Sequence, residues 1–278
     1  MSTPTLDALG AGAPAVVSEP AAQRLTFPHV VRSEWIKFTT LRSTWWSIAI
    51  TAVLTIGIAL LIAGAMDAPG FTGINAVTSP VQFTMLLAGI LGAIAVTGEY
   101  GTGMIRSTLT AVPVRGMALA AKAVVVAVAM FVASLAIFLV AAVAVTPLLS
   151  SEQAIDWASL DDTWLPLLAA SVSMAVFALI GLSFGYLLRS GAGAIAVTVG
   201  VLFVLPIVVN MFTIAGPDWQ WIVDAGDYLP MTAANHLIFA STSSAPEAPQ
   251  ALPAALALAG WSAGGLLAAW AALRTRDA

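Results

Sequence analysis

The sequence has no cysteine, two histidines and two lysines in 278 residues, and only 9% of it is charged. Without cysteine there can be no disulfide, thiolate nucleophile, cysteine-based zinc site or iron–sulfur cluster. Both lysines stand in the wrong context for a phosphate-cradling G-x-x-x-x-G-K-[ST] loop, since Lys37 precedes Phe38 and Lys122 precedes Ala123. The chain therefore carries no nucleotide site of its own. His29 and His236 are 207 positions apart and do not form the helical pair of a zinc protease. The serines in the apolar stretches have no histidine beside them to act as a base. No catalytic residue, metal ligand or cofactor contact is expected. A soluble domain carries roughly 25% charged residues, so the shortage of charge also excludes a soluble enzyme. The net charge of −4 gives no reason to expect a nucleic-acid partner.

What is present instead is apolar length. Hydrophobic residues make up 60% of the chain, the mean hydropathy is +0.96, and several runs exceed the ~18–20 residues that cross a hydrocarbon core. The runs predict an all-α, polytopic fold with six spans, at 45–66, 80–97, 123–145, 165–188, 192–212 and 251–273. The second, at 18 residues, is the shortest and the one most open to a re-entrant reading. Arg189-Ser190-Gly191 leaves room only for a tight turn between the fourth and fifth spans. Residues 1–29 are rich in Ala and Pro, have no signal-peptide h-region, and are expected to be a disordered tail. Residues 30–44 are expected to form an amphipathic interface helix, 45–273 the transmembrane domain, and 274–278 a second tail.

Charge provides an independent check on this threading, because Lys and Arg near span ends stay on the cytoplasmic side. Six spans place all ten basic residues on one side with five acids, and nine acids with no base on the other. Both termini are therefore expected in the cytoplasm of a multi-pass protein of a bacterial plasma membrane. The span interiors hold no ionisable group; Glu99 and Lys122 are expected at cytoplasmic ends, snorkelling or meeting water. A self-powered ion-coupled carrier would need such groups inside the membrane. In the fifth span, Pro206 and Asn210 are the pathway candidates, a kink and a deep amide. Two glycine pairs, Gly181 with Gly185 and Gly260 with Gly264, have the four-residue spacing of close helix contacts, without assigning a dimer seam.

Two segments carry more specific information. Along 27–45, Phe27, Val30, Val31, Phe38, Leu41 and Trp45 share a stripe, with Arg32, Ser33, Lys37, Thr40 and Ser43 opposite and Glu34 and Ile36 out of pattern. Such a helix either anchors the first span or meets a partner. In Gly98 to Gly116, three glycines are expected to release the second span before a short helix over Met104–Val112. Met104, Ile105, Leu109 and Val112 would form its apolar side, with Arg106, Ser107 and Thr110 as its polar edge.

The order of RSEWIKFTTLRSTWW (32–46), a span, and a second span ending in GEYGTGMIRSTLTAVPVRGMALAAK (98–122) resembles the membrane subunit of bacterial ATP-binding cassette exporters of the type-2 permease family, in an actinobacterial-looking form. Glu99, Tyr100, Gly101, Thr102, Arg106, Leu109, Pro113, Arg115 and Lys122 match the frame of that loop, where the family often has a charge at the position of Gly101. The resemblance implies a coupling helix seated in a separate ATPase, two ATPase copies carrying ATP and Mg, and a second permease copy, as a homodimer or a heterodimer. On that basis Glu99, Thr102, Met104, Arg106, Ser107, Thr110 and Arg115 would couple to the ATPase. It also implies surface or re-entrant helices between spans five and six, making Trp219, Trp221, Tyr228 and Leu237 the outer-gate residues. The implied function is efflux of an apolar or amphipathic substrate. The alternative from a different class is a non-translocating scaffold or sensor subunit that binds an ATPase or a signalling partner.

Overall fold

The computed structural model describes residues 26–66, 70–214, 216–240 and 251–276. Most of the expected N-terminal tail, Asp67, Glu247 and Asp277 lie outside the described residues. Among the described residues every secondary-structure element is helical, with no strand. Six of its helices or near-continuous helical stretches are long and apolar enough to cross a membrane: Arg42–Ala65, Gly73–Thr102, Arg115–Leu148, Leu160–Leu188, Gly191–Ile214 and Ala251–Thr275.

Helix α1 (Phe27–Thr40) starts with Pro28 in its first turn, where the missing N–H costs nothing, and ends at Leu41, whose extended backbone turns the chain into α2 (Arg42–Ala65). The amphipathic helix therefore begins inside the expected tail and stops four residues early. Its inward face also differs from the expected stripe. Val30 and Glu34 are buried, while Phe27, Leu41 and Trp45 are exposed. The cause is α6 (Arg115–Val145), which presents Ala118 and Ala121 to Val30 and Lys122 to Glu34, so the helix's rotation satisfies an apolar seam and an ion pair together.

After the short α3 (Gly73–Thr78), α4 (Val81–Thr102) runs through Gly98 and Gly101 instead of being released by them. Only Gly103, at φ +72°, breaks the helix; this left-handed conformation suits glycine and redirects the chain into α5 (Met104–Ala111). Helix α6 begins eight residues before the expected span start and extends about 46 Å at 1.5 Å per residue, so Arg115 and Lys122 are helical. Helix α7 (Leu165–Leu188) follows a π-helical turn at Leu160–Trp164 and is capped by Arg189 in the left-handed region.

The fifth span consists of α8 (Gly191–Val199), a π-helical turn (Gly200–Val204) and α9 (Leu205–Met211). Pro206 accounts for the irregularity, because it cannot donate back into the preceding turn. Helices α10 (Gln220–Gly226) and α11 (Pro230–Ile238) are short surface pieces, and α12 (Ala251–Thr275) closes the bundle.

The centre of the bundle is the crossing of α4 and α7. A Cβ on Gly92 would collide with the Ala178 carbonyl, and one on Gly181 with the Gly89 carbonyl. The backbones thus touch through reciprocal glycines, the small-residue packing of membrane helices. Gly185 belongs to this crossing, whereas Gly260 and Gly264 face open space. The opposite condition holds at the periphery: Leu61, Val53, Val143 and Leu256 are each more than 60% exposed, a surface suited to an apolar solvent.

Candidate functional site

Helix α1, the starts of α2 and α6 and the ends of α4, α7 and α12 gather at one end, here termed the basic end. Arg115 Nη1 donates to the carbonyls of Leu273 and Arg276, and Arg276 Nη1 donates to the Leu187 carbonyl. Arg189 lies over the Tyr100 ring at 5.4 Å, and Arg274 over Trp270 at 3.9 Å.

Within this end four charges are enclosed. Glu34 and Lys37 lie one turn apart on the inward face of α1, Glu99 in the last turn of α4, and Lys122 two turns into α6. Lys122 Nζ donates to Glu34 Oε2 at 2.5 Å and Glu99 Oε1 at 2.9 Å. Lys37 Nζ donates to Glu34 Oε1 at 2.8 Å, Glu99 Oε1 at 3.2 Å and Thr108 Oγ1 of α5 at 2.9 Å. Exposure of the four side chains is 3% for Glu34, 4% for Glu99, 6% for Lys122 and 27% for Lys37. Two carboxylates and two ammonium groups alternate, so the cluster is neutral and joins α1, α4, α5 and α6. Burial alone would raise the Glu34 carboxyl, but Lys122 and Lys37 outweigh it and hold the group below its ordinary value. For Lys37 burial acts to lower the ammonium, and Glu34 and Glu99 more than reverse this, leaving it raised.

This corrects the expectation that Glu99 and Lys122 snorkel or meet water: both are buried, and they are paired with each other and with α1. Among the residues expected to couple to a partner, Glu99 is enclosed and Arg115 reaches toward the end of α12. Arg106, Ser107 and Thr110 form the exposed edge of α5, and Thr102 is exposed at the end of α4. The two α5 hydroxyls donate within their own helix, Ser107 to the Met104 carbonyl and Thr110 to the Arg106 carbonyl. The inward side of α5 is Ile105 and Thr108, with Leu109 half-buried and Val112 buried just beyond the helix; Met104 is 37% exposed. Val112 packs with Val30, Ala118 and Ala121, a second seam joining α1 and α6 to the chain leaving α5.

Sequence reasoning missed Thr108 and the pairing role of Glu34 and Lys37. A signal was available: Lys122 stands in the apolar run AAKAVVV, and a lysine enclosed there needs a carboxylate.

At the opposite end, Trp219, Trp221 and Tyr228 are exposed, and Leu237 packs partly against the core. Trp261 Nε1 donates to the Tyr228 carbonyl at 2.9 Å, tying α12 to this segment. Pro206 and Asn210 meet Asp227, Thr232 and His236 around a cavity of about 260 Å³. His236 Nδ1 is buried there without a partner. Sequence reasoning used His236 only to dismiss zinc chemistry.

No family model matches the chain, and comparison with curated proteins likewise gives no match.

Proposed function

We propose that this chain is the membrane-spanning subunit of an ATP-driven exporter, working as a pair of copies with a separate ATPase that meets α5 at the basic end. The observation that carries this reading is the attachment of α5. Its polar edge, Arg106, Ser107 and Thr110, is open to a partner, while Thr108 behind it accepts from Lys37 of the neutral four-charge cluster. A push on that edge would pass to α1, α4 and α6 together, because the four charges are shared among these helices and losing any one leaves an enclosed uncompensated charge, at a cost of about 3–5 kcal/mol. The basic end would face the cytoplasm, where Lys and Arg are retained and ATP is available.

Spans one, five and six are the least enclosed, with 22%, 17% and 22% buried against 67% for span four. They therefore supply open faces for a second copy and a pathway. Asn210 lies exposed on span five beside the outer cavity, in keeping with a pathway role, and Trp219, Trp221, Tyr228 and Leu237 would form the outer closure. A pathway of this apolar character suits an apolar or amphipathic cargo.

The test is transport and ATP hydrolysis by the chain reconstituted in vesicles with its partner ATPase. Arg106→Glu should uncouple hydrolysis from transport and leave the fold intact. Unchanged transport by this variant would overturn the coupling assignment. A partner that binds and hydrolyses ATP with no cargo moved would favour a scaffold or sensor.

A further inference from the structure

At the end opposite the charge cluster, α9, α10 and α11 surround a cavity of about 260 Å³ whose wall is part polar and part apolar. Asp227, Asn210, Thr232 and His236 line it on the polar side, and Val209 and Val223 on the apolar side. Among the described residues, the side chains of these four polar residues make no hydrogen bond or ion pair with the protein. The polar side of the cavity is therefore uncommitted. Its wall, by contrast, is fixed. A Cβ on Gly226 would come within 2.5 Å of Val209 Cγ1, so the bare glycine lets α10 close onto α9. Asp227 follows in a tied turn: its N–H donates to the Asp224 carbonyl, the Leu229 N–H to the Gly226 carbonyl, and the Trp261 indole to the Tyr228 carbonyl. The connections at this end carry nine acids and neither lysine nor arginine.

We infer that this cavity binds a small compound that joins a protonated amine to a short apolar body, the ammonium on Asp227 and the body against Val209 and Val223. Charge selects a cation, because no lysine or arginine is available to Asp227 and the surrounding acids draw cations to this surface. The donor set selects an ammonium. Asn210 and Thr232 can accept its remaining N–H groups, whereas one carboxylate and one imidazole are too few for a dehydrated metal ion. The apolar side selects an organic ammonium over a bare ion. At ~30 Å³ per atom, the liquid volume of one water, the cavity limits the compound to roughly nine non-hydrogen atoms. The inference does not depend on any ATPase or on transport.

The experiment is isothermal titration calorimetry of the full chain in detergent, blanked against protein-free micelles, with phenethylamine, which matches that size, its neutral isostere 2-phenylethanol, and 3-phenylpropionate. Phenethylamine should bind about tenfold more tightly than the alcohol, a ratio corresponding to roughly 1.4 kcal/mol, and the carboxylate should bind more weakly than either. Asp227→Asn keeps the side chain's size and should bring phenethylamine to the level of the alcohol. Asp218→Asn removes the same charge from an exposed position outside the cavity and should leave the affinity within about twofold. Val223→Phe fills the apolar side with every charge in place and should also lower the affinity for phenethylamine, so the test stands on a second variant where Asp227→Asn does not fold. Thermal unfolding reports which variants are folded. Equal affinity for the amine and the alcohol would overturn the inference, as would a folded Asp227→Asn or Val223→Phe protein that binds the amine as well as the parent. An equal loss with Asp218→Asn would overturn it too, by making the effect one of surface charge alone.

Discussion

The two ends of the bundle solve opposite problems. At the basic end, charges are enclosed and paired across four helices, with Glu34 and Lys122 bridging 88 positions of sequence. At the other end, aromatic side chains stand exposed on short helices and turns, and the long-range ties are neutral hydrogen bonds to backbone carbonyls: Gly73 N–H to Gln153, Gln153 Nε2 to Met66 and Trp261 Nε1 to Tyr228. An enclosed ion pair has few alternative arrangements and transmits displacement, whereas exposed aromatic residues on two-turn helices can shift at little cost. On the proposed function, the enclosed end is the one a partner would push and the exposed end the one that would open.

The largest effect should come from breaking the enclosed cluster. Lys122→Met leaves Glu34 and Glu99 facing each other with one lysine, and should cost about 3–5 kcal/mol, read as thermal unfolding in detergent. Adding Glu34→Leu to that variant should recover part of the loss, because the remaining Glu99–Lys37 pair is neutral; a double-mutant cycle measures the coupling. If the double variant is less stable than the single one, the cluster is not organised as described.

Acid should separate the two ends next. Glu34 has a lowered value in the folded chain, so its contribution is fully present above its ordinary value of 4.5 and is lost as pH falls through the depressed one. Lys37 is raised, so its contribution is present below 10.5 and is lost as pH rises through the higher value. Hydrogen exchange of α1 should therefore accelerate at both extremes relative to α11. Glu34→Gln should remove the acid limb.

Smaller effects belong to the outer end. Trp261→Phe removes the hydrogen bond to the Tyr228 carbonyl and should cost about 0.5–1.5 kcal/mol in thermal unfolding. Trp221→Ala, at a side chain 65% exposed, should change stability by no more than about 0.5 kcal/mol. A loss there comparable to that of Lys122→Met would erase the distinction between the ends.

The spans were legible because hydrocarbon thickness fixes their length, and Leu165–Leu188 is read directly from the apolar run. The extension of α4 through Gly98 and Gly101 was not, since glycine weakens a helix locally and only the helices packed around this one show that it is held. The rotation of α1 was hidden for a related reason. A helical wheel sees hydrophobicity along one segment, and Glu34 faces inward because of Lys122, far away in sequence. Gly181–Gly185 and Gly260–Gly264 have identical spacing, yet one pair sits in the α4–α7 crossing and the other faces open space. Spacing alone could not tell them apart. Of the proposed coupling surface, the polar edge of α5 was legible from its 3.6-residue period; the role of Thr108 was not, because a threonine shows its partner only once the helices are assembled.

The most direct test of the proposed coupling is affinity purification of the full chain in detergent, with mass spectrometry of what remains bound. The account expects a stoichiometric ATPase that is lost with Arg106→Glu and retained with Trp221→Ala. Recovery of the folded chain without an ATPase, or an ATPase held equally well by Arg106→Glu, would contradict it.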